Sequence, residues 1–185
     1  METLSGTQTD DLLKSLLLLS QSVRRVLENR VVEKSAEGLS QSKVSLLRIL
    51  ARKGPQSPTD MAEFLNVSRP AVSQIAAEMI ENGLLVKSRS KEDSRRLQLE
   101  ITERGLAAVQ RIEEAQRHLI RAAAEYAPEG SGPHWIENVQ QLTDAIVRAD
   151  DRYGEHCYQC GAYSDGSCIL VGGGAKCSYR TSVKG

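Results

Sequence analysis

Aromatic residues are scarce, only 4% of the 185-residue chain with one tryptophan and one phenylalanine, so any core is built from aliphatic side chains. A core of that kind suits helices packed on helices. Charge of one sign is also missing. Lys and Arg number 24 and Asp and Glu number 24, so the chain as a whole carries no field that draws nucleic acid, and any such surface is a local patch. Long apolar runs are absent too. The leucines at 16–19 form a run of four, preceded by Asp10 and Asp11, far short of the ~20 residues of a membrane span. The N-terminus carries no signal-peptide pattern. A cytoplasmic address and no membrane partner are expected. No paired acid–base constellation, glycine-rich phosphate loop or nucleophile motif is present, so an enzyme is not expected. The length suits one domain with a small appendage.

What is present centres on residues 68–105. Ser68 is a good N-cap and Pro70 fits the first helical turn. Val72, Ile75, Ala76, Met79 and Ile80 then recur at helical spacing, and Gly83 supplies a left-handed stop. Residues 84–90 and 95–101 read as strands joined by a charged tip at 91–94. In the second, Leu97, Leu99 and Ile101 alternate with Arg96, Gln98 and Glu100. The ribbon holds Lys87, Arg89, Lys91, Arg95 and Arg96 against Glu92 and Asp93, a local positive excess. Just upstream, Ser57-Pro58-Thr59-Asp60 starts a short helix carrying Met61, Ala62, Phe64 and Leu65, and Asn66-Val67 turns the chain into Ser68. Phe64 reads as a core anchor. Short helix, tight turn, longer capped helix and basic ribbon together make a winged helix-turn-helix.

Longer helices flank this unit. Residues 10–33 carry Leu12, Leu16, Leu19, Val23 and Val26 on one stripe, widened by Leu13, Leu17, Leu18 and Leu27 beyond what one small neighbour covers. Residues 39–52 form another helix, with Val44, Leu47 and Leu50 facing in and Gly54-Pro55 closing it. After the ribbon, Thr102 caps a helix to about Tyr126, and residues 128–133 form a turn. A last helix, about 134–150, carries Trp135, Ile136, Val139, Leu142, Ile146 and Val147. Both ends are more apolar than a monomer of this size requires, which points to a second copy as partner.

On the exposed N-terminal side of the recognition helix stand Ser68, Arg69, Ala71, Ser73 and Gln74. Arg69 suits a guanine or a phosphate, Gln74 an adenine, and Ala71 or Pro70 a thymine methyl. Lys87, Arg89, Lys91 and Arg96 are phosphate candidates, which position a protein without reading sequence. Over roughly residues 10–150 the chain resembles the MarR family of bacterial transcription regulators. The resemblance rests on Gly83-Leu84-Leu85, on Asp93-Ser94-Arg95 as the family's D-x-R wing motif, and on Leu97-x-Leu99-x-Ile101-Thr102-x-x-Gly105. The last matches the family's apolar strand and L-T-x-x-G helix start, with Ile in place of the usual Leu. It implies a homodimer joined through helices from both chain ends, binding a pseudo-palindromic operator in double-stranded DNA and answering to a small-molecule effector, an oxidant or a metal. It also implies that Arg95 enters the minor groove while Asp93 holds its guanidinium.

The final 35 residues change character. From Asp151 onward lie half of the chain's fourteen glycines and all four cysteines, with no helical period. Cys157, Cys160, Cys168 and Cys177 are spaced C-x2-C-x7-C-x8-C, outside the MarR pattern. The first pair lets a tight turn aim two thiolates at one ion. A metal centre on the four cysteines is expected, either zinc or a 4Fe–4S or 2Fe–2S iron–sulfur cluster, with metal-free redox thiols as a third reading. His156 suits an outer role beside Cys157, and His118 and His134 are isolated.

The fold expected is mainly α with a small β-wing, a winged helix-turn-helix domain between N- and C-terminal dimerisation helices, plus a loop-rich tail. Its parts are a dimerisation helix at 10–38, the DNA-binding domain at 39–104, C-terminal dimerisation helices at 105–150 and the metal-binding tail at 151–185. The leading function is a dimeric, sequence-specific transcriptional regulator whose tail senses metal or redox state. Its rivals are a ligand-gated repressor with a purely structural tail, and an electron carrier or enzyme built on the cysteine centre.

Overall fold

The computed structural model describes residues 4–35, 38–90, 93 and 95–149. Over these residues the fold is mainly helical with one two-stranded antiparallel sheet, as the sequence predicts. Helix α1 (Gly6–Ser22) starts at Ser5, whose Oγ accepts the Gln8 N–H at 3.3 Å while Gln8 Oε1 accepts the Ser5 N–H at 2.9 Å. That reciprocal box sets the start four residues earlier than the apolar stripe indicates, because capping residues carry no hydrophobic period. The helix continues through a π-helical stretch, Val23–Arg30, into α2 (Val31–Ser35). No residue of α1 is buried, and Leu13, Leu17, Leu18 and Leu19 are 49–70% exposed.

The spine of the head is α3 (Gln41–Lys53), which ends at Gly54 with φ 75°. It buries Leu46 and Ile49 as well as the expected Val44, Leu47 and Leu50, because it is covered on two sides. Around it pack α4 (Pro58–Leu65), α5 (Arg69–Glu81), strands β1 (Leu85–Arg89) and β2 (Leu97–Ile101), and α6 (Glu103–Ala124). Met61, Val72, Met79, Leu85, Leu99 and Val109 join the α3 side chains in one core. Each such side chain contributes roughly 1.5–3 kcal/mol on burial. Phe64 is half-buried, and the Lys53 ammonium sits 4.4 Å from its ring centre, so it carries a cation as well as packing. A second cluster of Val31, Val32, Val44 and Ile112 seats the root of the N-terminal helix on α3 and α6.

The last described helix, α7 (Gly132–Arg148), opens inside the expected turn, since proline is tolerated in its first turn. Val147 is buried, whereas Trp135, Ile136, Val139 and Ile146 are 44–64% exposed. The cysteines and His156 lie outside the described residues. Among the described residues, no helix is long and apolar enough to cross a membrane.

Candidate nucleic-acid interface

Two caps and one left-handed residue place the recognition helix. Ser57 Oγ accepts the Asp60 N–H at 3.1 Å and donates to the Asp60 carboxylate at 2.8 Å, which fixes the start of α4. Asn66 closes that helix at φ 52°, and the Val67 N–H donates to the Ala62 carbonyl at 3.0 Å, so the chain turns sharply into α5. Asn is among the few residues that adopt this conformation at low cost. At the head of α5, Ser68 Oγ accepts the Ala71 N–H at 3.4 Å. Val72, Ala76 and Met79 face the core, while Arg69, Ser73 and Gln74 are exposed and Ala71 is half-buried. With 13 residues α5 is about 20 Å long and about 10–12 Å across, a fit to a major groove roughly 12 Å wide. Its far side is tied to α3 by Lys43 Nζ, 2.8 Å from Glu78 Oε2.

The ribbon stands beside this helix. Leu85 pairs with Ile101, Lys87 with Leu99 and Arg89 with Leu97. An isolated antiparallel bridge joins from before α4: Gln56 and Leu99 exchange backbone bonds at 3.1 and 2.8 Å. Leu99 packs into the core and is buried, Ile101 is half-buried, and Leu97 toward the tip is 45% exposed, so the alternation buries only the proximal half. At the tip, the Ser90 N–H donates to the Arg96 carbonyl at 3.0 Å and the Arg96 N–H to the Asp93 carbonyl at 2.9 Å. Asp93 Oδ1 accepts the Arg95 N–H at 3.0 Å, and Oδ2 lies 3.5 Å from Arg96 Nε. Asp93 thus organises the tip by holding the Arg95 backbone and the Arg96 guanidinium, a different division from the one the family resemblance implies.

The base is clasped by Thr102. Its hydroxyl donates to the Gly83 carbonyl at 2.8 Å and accepts the Gly105 N–H at 3.1 Å, and its own N–H donates to the Leu84 carbonyl at 3.1 Å. Gly105 fits beneath because it has no side chain: a Cβ there would overlap the Leu84 carbonyl oxygen and come within 2.8 Å of Ile101 Cγ1. The Thr-x-x-Gly spacing is thereby a packing requirement of the wing's root.

Of the residues singled out from sequence, Ser68, Arg69, Ala71, Ser73 and Gln74 share one end of α5. Lys87, Arg89, Asp93, Arg95 and Arg96 share the ribbon, where all but the half-buried Asp93 are exposed. Lys91 lies outside the described residues. Sequence reasoning missed Gln56, whose contribution is a backbone rung that no side-chain pattern marks, and the Lys43–Glu78 pair, whose members sit 35 positions apart.

The MarR family model matches residues 39–97, from the start of the head to the wing. YpoP of Bacillus subtilis (strain 168), an HTH-type transcriptional regulator, is 31% identical over 96 residues, which cover 52% of this chain and 68% of that protein. The matched stretches span between 49% and 68% of the curated relatives' own lengths. Among solved structures, YusO from Bacillus subtilis superposes with a TM-score of 0.64 at 18% identity, covering 80% of this chain and 100% of that one. A variant of MepR from Staphylococcus aureus, bound to an oligodeoxyribonucleotide, gives 0.58 at 13% identity, covering 73% and 97%. At such identities the two structures speak for the fold.

Proposed function

This chain belongs to the MarR family of transcription regulators, and on that footing we propose that it binds a pseudo-palindromic operator in double-stranded DNA as a homodimer. The observation that carries the reading is the pairing of an exposed polar face at the N-terminal end of α5 with a ribbon whose tip Asp93 holds in shape beside Arg95 and Arg96. Arg69, Ser73 and Gln74 read base edges, Ala71 supplies an apolar contact, and the Ser68 end of the helix, with its positive dipole, takes a phosphate. Arg95 enters the adjacent minor groove. Lys87, Arg89, Lys91 and Arg96 take phosphates. The exposed apolar side chains of α1 and α7 support pairing of two copies through both chain ends, with half-sites about one helical turn apart.

The C-x2-C pair within the four-cysteine tail supports a metal centre on Cys157, Cys160, Cys168 and Cys177, zinc or iron–sulfur, to whose state DNA binding responds. A thiolate site of this kind is filled only by deprotonated cysteines, which couples it to pH and oxidants. The competing reading is a regulator gated by a small organic effector, with the tail structural.

The test uses the full chain and a duplex recovered from a random-sequence pool. Arg95→Ala is expected to weaken gel-shift binding about tenfold or more while sedimentation still reports a dimer. Undiminished binding overturns the wing assignment. Anaerobic purification with metal analysis and a visible spectrum decides the centre: colour assigns a cluster, and colourless protein with stoichiometric zinc assigns zinc. If DNA affinity is the same in every metal and redox state, the sensing proposal fails.

A further inference from the structure

Between the N-terminal helix and the reading head the backbone changes pitch at one place among the described residues. The stretch closes on a tight bond, the Val31 N–H donating to the Glu28 carbonyl three residues back, but over Val23–Arg30 the turns are the wide ones of a π-helix. Such wide turns are rare and concentrate at functional sites. A side chain 89 positions away meets this one: Gln116 Nε2 donates to the Leu27 carbonyl at 3.0 Å. The other end of the same amide is also committed, because Gln116 Oε1 accepts Arg48 Nη2 at 2.5 Å.

Arg48 lies in the middle of α3, where its Nε is 3.9 Å from Glu113 Oε1, and that oxygen also accepts Arg52 Nη2 at 3.0 Å. The Arg48 and Glu113 side chains are 20% and 26% exposed, surroundings in which hydrogen bonds are stronger than in open water. From α3 the chain of contacts passes through Lys43 to Glu78 on the recognition helix. One amide on α6 therefore joins the wide turn of the N-terminal helix to the spine that holds α5. The apolar contacts at the same joint, Val31, Val32, Val44 and Ile112, are non-directional and do not by themselves fix an angle.

We propose that Gln116 is a positioning residue that locks the DNA-reading head to the N-terminal helix and thereby sets the spacing of the two heads in the dimer. The proposal rests on the reading of the chain as a dimeric DNA-binding regulator. Only an amide satisfies both partners. A carboxylate keeps the acceptor for Arg48 but places an oxygen against the Leu27 carbonyl, and an aliphatic side chain removes the bond to each.

The experiment compares the wild-type full chain with Gln116→Leu and Gln116→Glu. Hydrogen exchange of the amides in 23–35 is expected to quicken about tenfold in both variants, while those in 69–81 and 97–101 keep their protection. Fluorescence anisotropy is then measured on the selected duplex, on duplexes with the half-site spacing changed by one base pair, and on a single half-site. The variants are expected to lose most of the wild type's discrimination between spacings and to keep its single-half-site affinity. A general loss of structure would lower both alike. If Gln116→Leu loses the protection of 69–81, Gln116→Glu, which keeps the Arg48 contact, carries the comparison. Unchanged exchange in 23–35, or unchanged discrimination between spacings, overturns the proposal. Failure of the wild type to select any DNA would instead refute the regulator reading and the spacing role together, while the exchange result still decides whether Gln116 is the lock.

Discussion

Replacing Gly105 by alanine tests the link between wing geometry and function at one atom. The added Cβ has nowhere to go: it overlaps the Leu84 carbonyl oxygen, comes within 2.8 Å of Ile101 Cγ1 and 3.3 Å of Leu47 Cδ2, and two of those atoms lie at the root of the ribbon. Overpacking of this kind costs about 1–3 kcal/mol, and a clash with backbone belongs at the upper end. Against it stands the gain from alanine over glycine inside a helix, at most about 1 kcal/mol. A net loss of about 2 kcal/mol lowers the melting temperature of a chain this long by roughly 4–8 °C. Relief requires the ribbon to lift from α6, which pulls on the Thr102 clasp to Gly83 and shifts Arg95 relative to α5. DNA affinity should therefore fall further than the stability loss alone predicts. Thermal melts followed by circular dichroism, with anisotropy below the melting range, measure both. Gly6→Ala is the control, because its Cβ would meet nothing within 4 Å. If Gly105→Ala melts at or above the wild type, the packing argument is wrong.

Other perturbations separate the remaining roles. Thr102→Val removes the helix cap and the bond to the Gly83 carbonyl, so the urea midpoint should drop by the equivalent of about 1–2 kcal/mol at unchanged slope. Lys87→Ala should weaken binding evenly across sequences and reduce the salt dependence by about one phosphate contact, and a sequence-selective effect would count against its assignment. Leu17→Glu combined with Ile136→Glu should shift sedimentation toward monomer without disturbing the head, since both side chains are exposed. Cys157→Ser and Cys160→Ser should each abolish bound metal, and full occupancy in both variants would refute the tail assignment.

The reading head was legible because local chemistry writes it out. Ser57-Pro58, Asn66-Val67, Ser68 and Gly83 are residues whose backbone preferences specify starts and stops, and they lie where those turns occur. The alternation in β2 was legible as well, but not how much of it is covered, since Leu99 is buried by packing into the core around α3, which the strand's own pattern does not record. The pitch change at Val23–Arg30 left no trace in the apolar stripe, which runs through Val23 and Val26 without a break. It is tied to Gln116 on another helix, information that periodicity does not contain. Asp93 could be recognised as part of a wing motif, yet which arginine its carboxylate pairs with depends on the turn at the tip. The exposed leucines of α1 agree in kind with a partnered surface, whereas the tail is legible only through its cysteine spacing.

The most direct measurement of the central claim is selection of DNA by the 185-residue chain from a random-sequence pool, followed by sequencing of the retained duplexes. The account predicts enrichment of a two-fold repeated motif whose half-sites lie about one helical turn apart, with enrichment lost in Arg69→Ala and Arg95→Ala. Retention without any shared sequence, or an enriched motif unaffected by both substitutions, would contradict it.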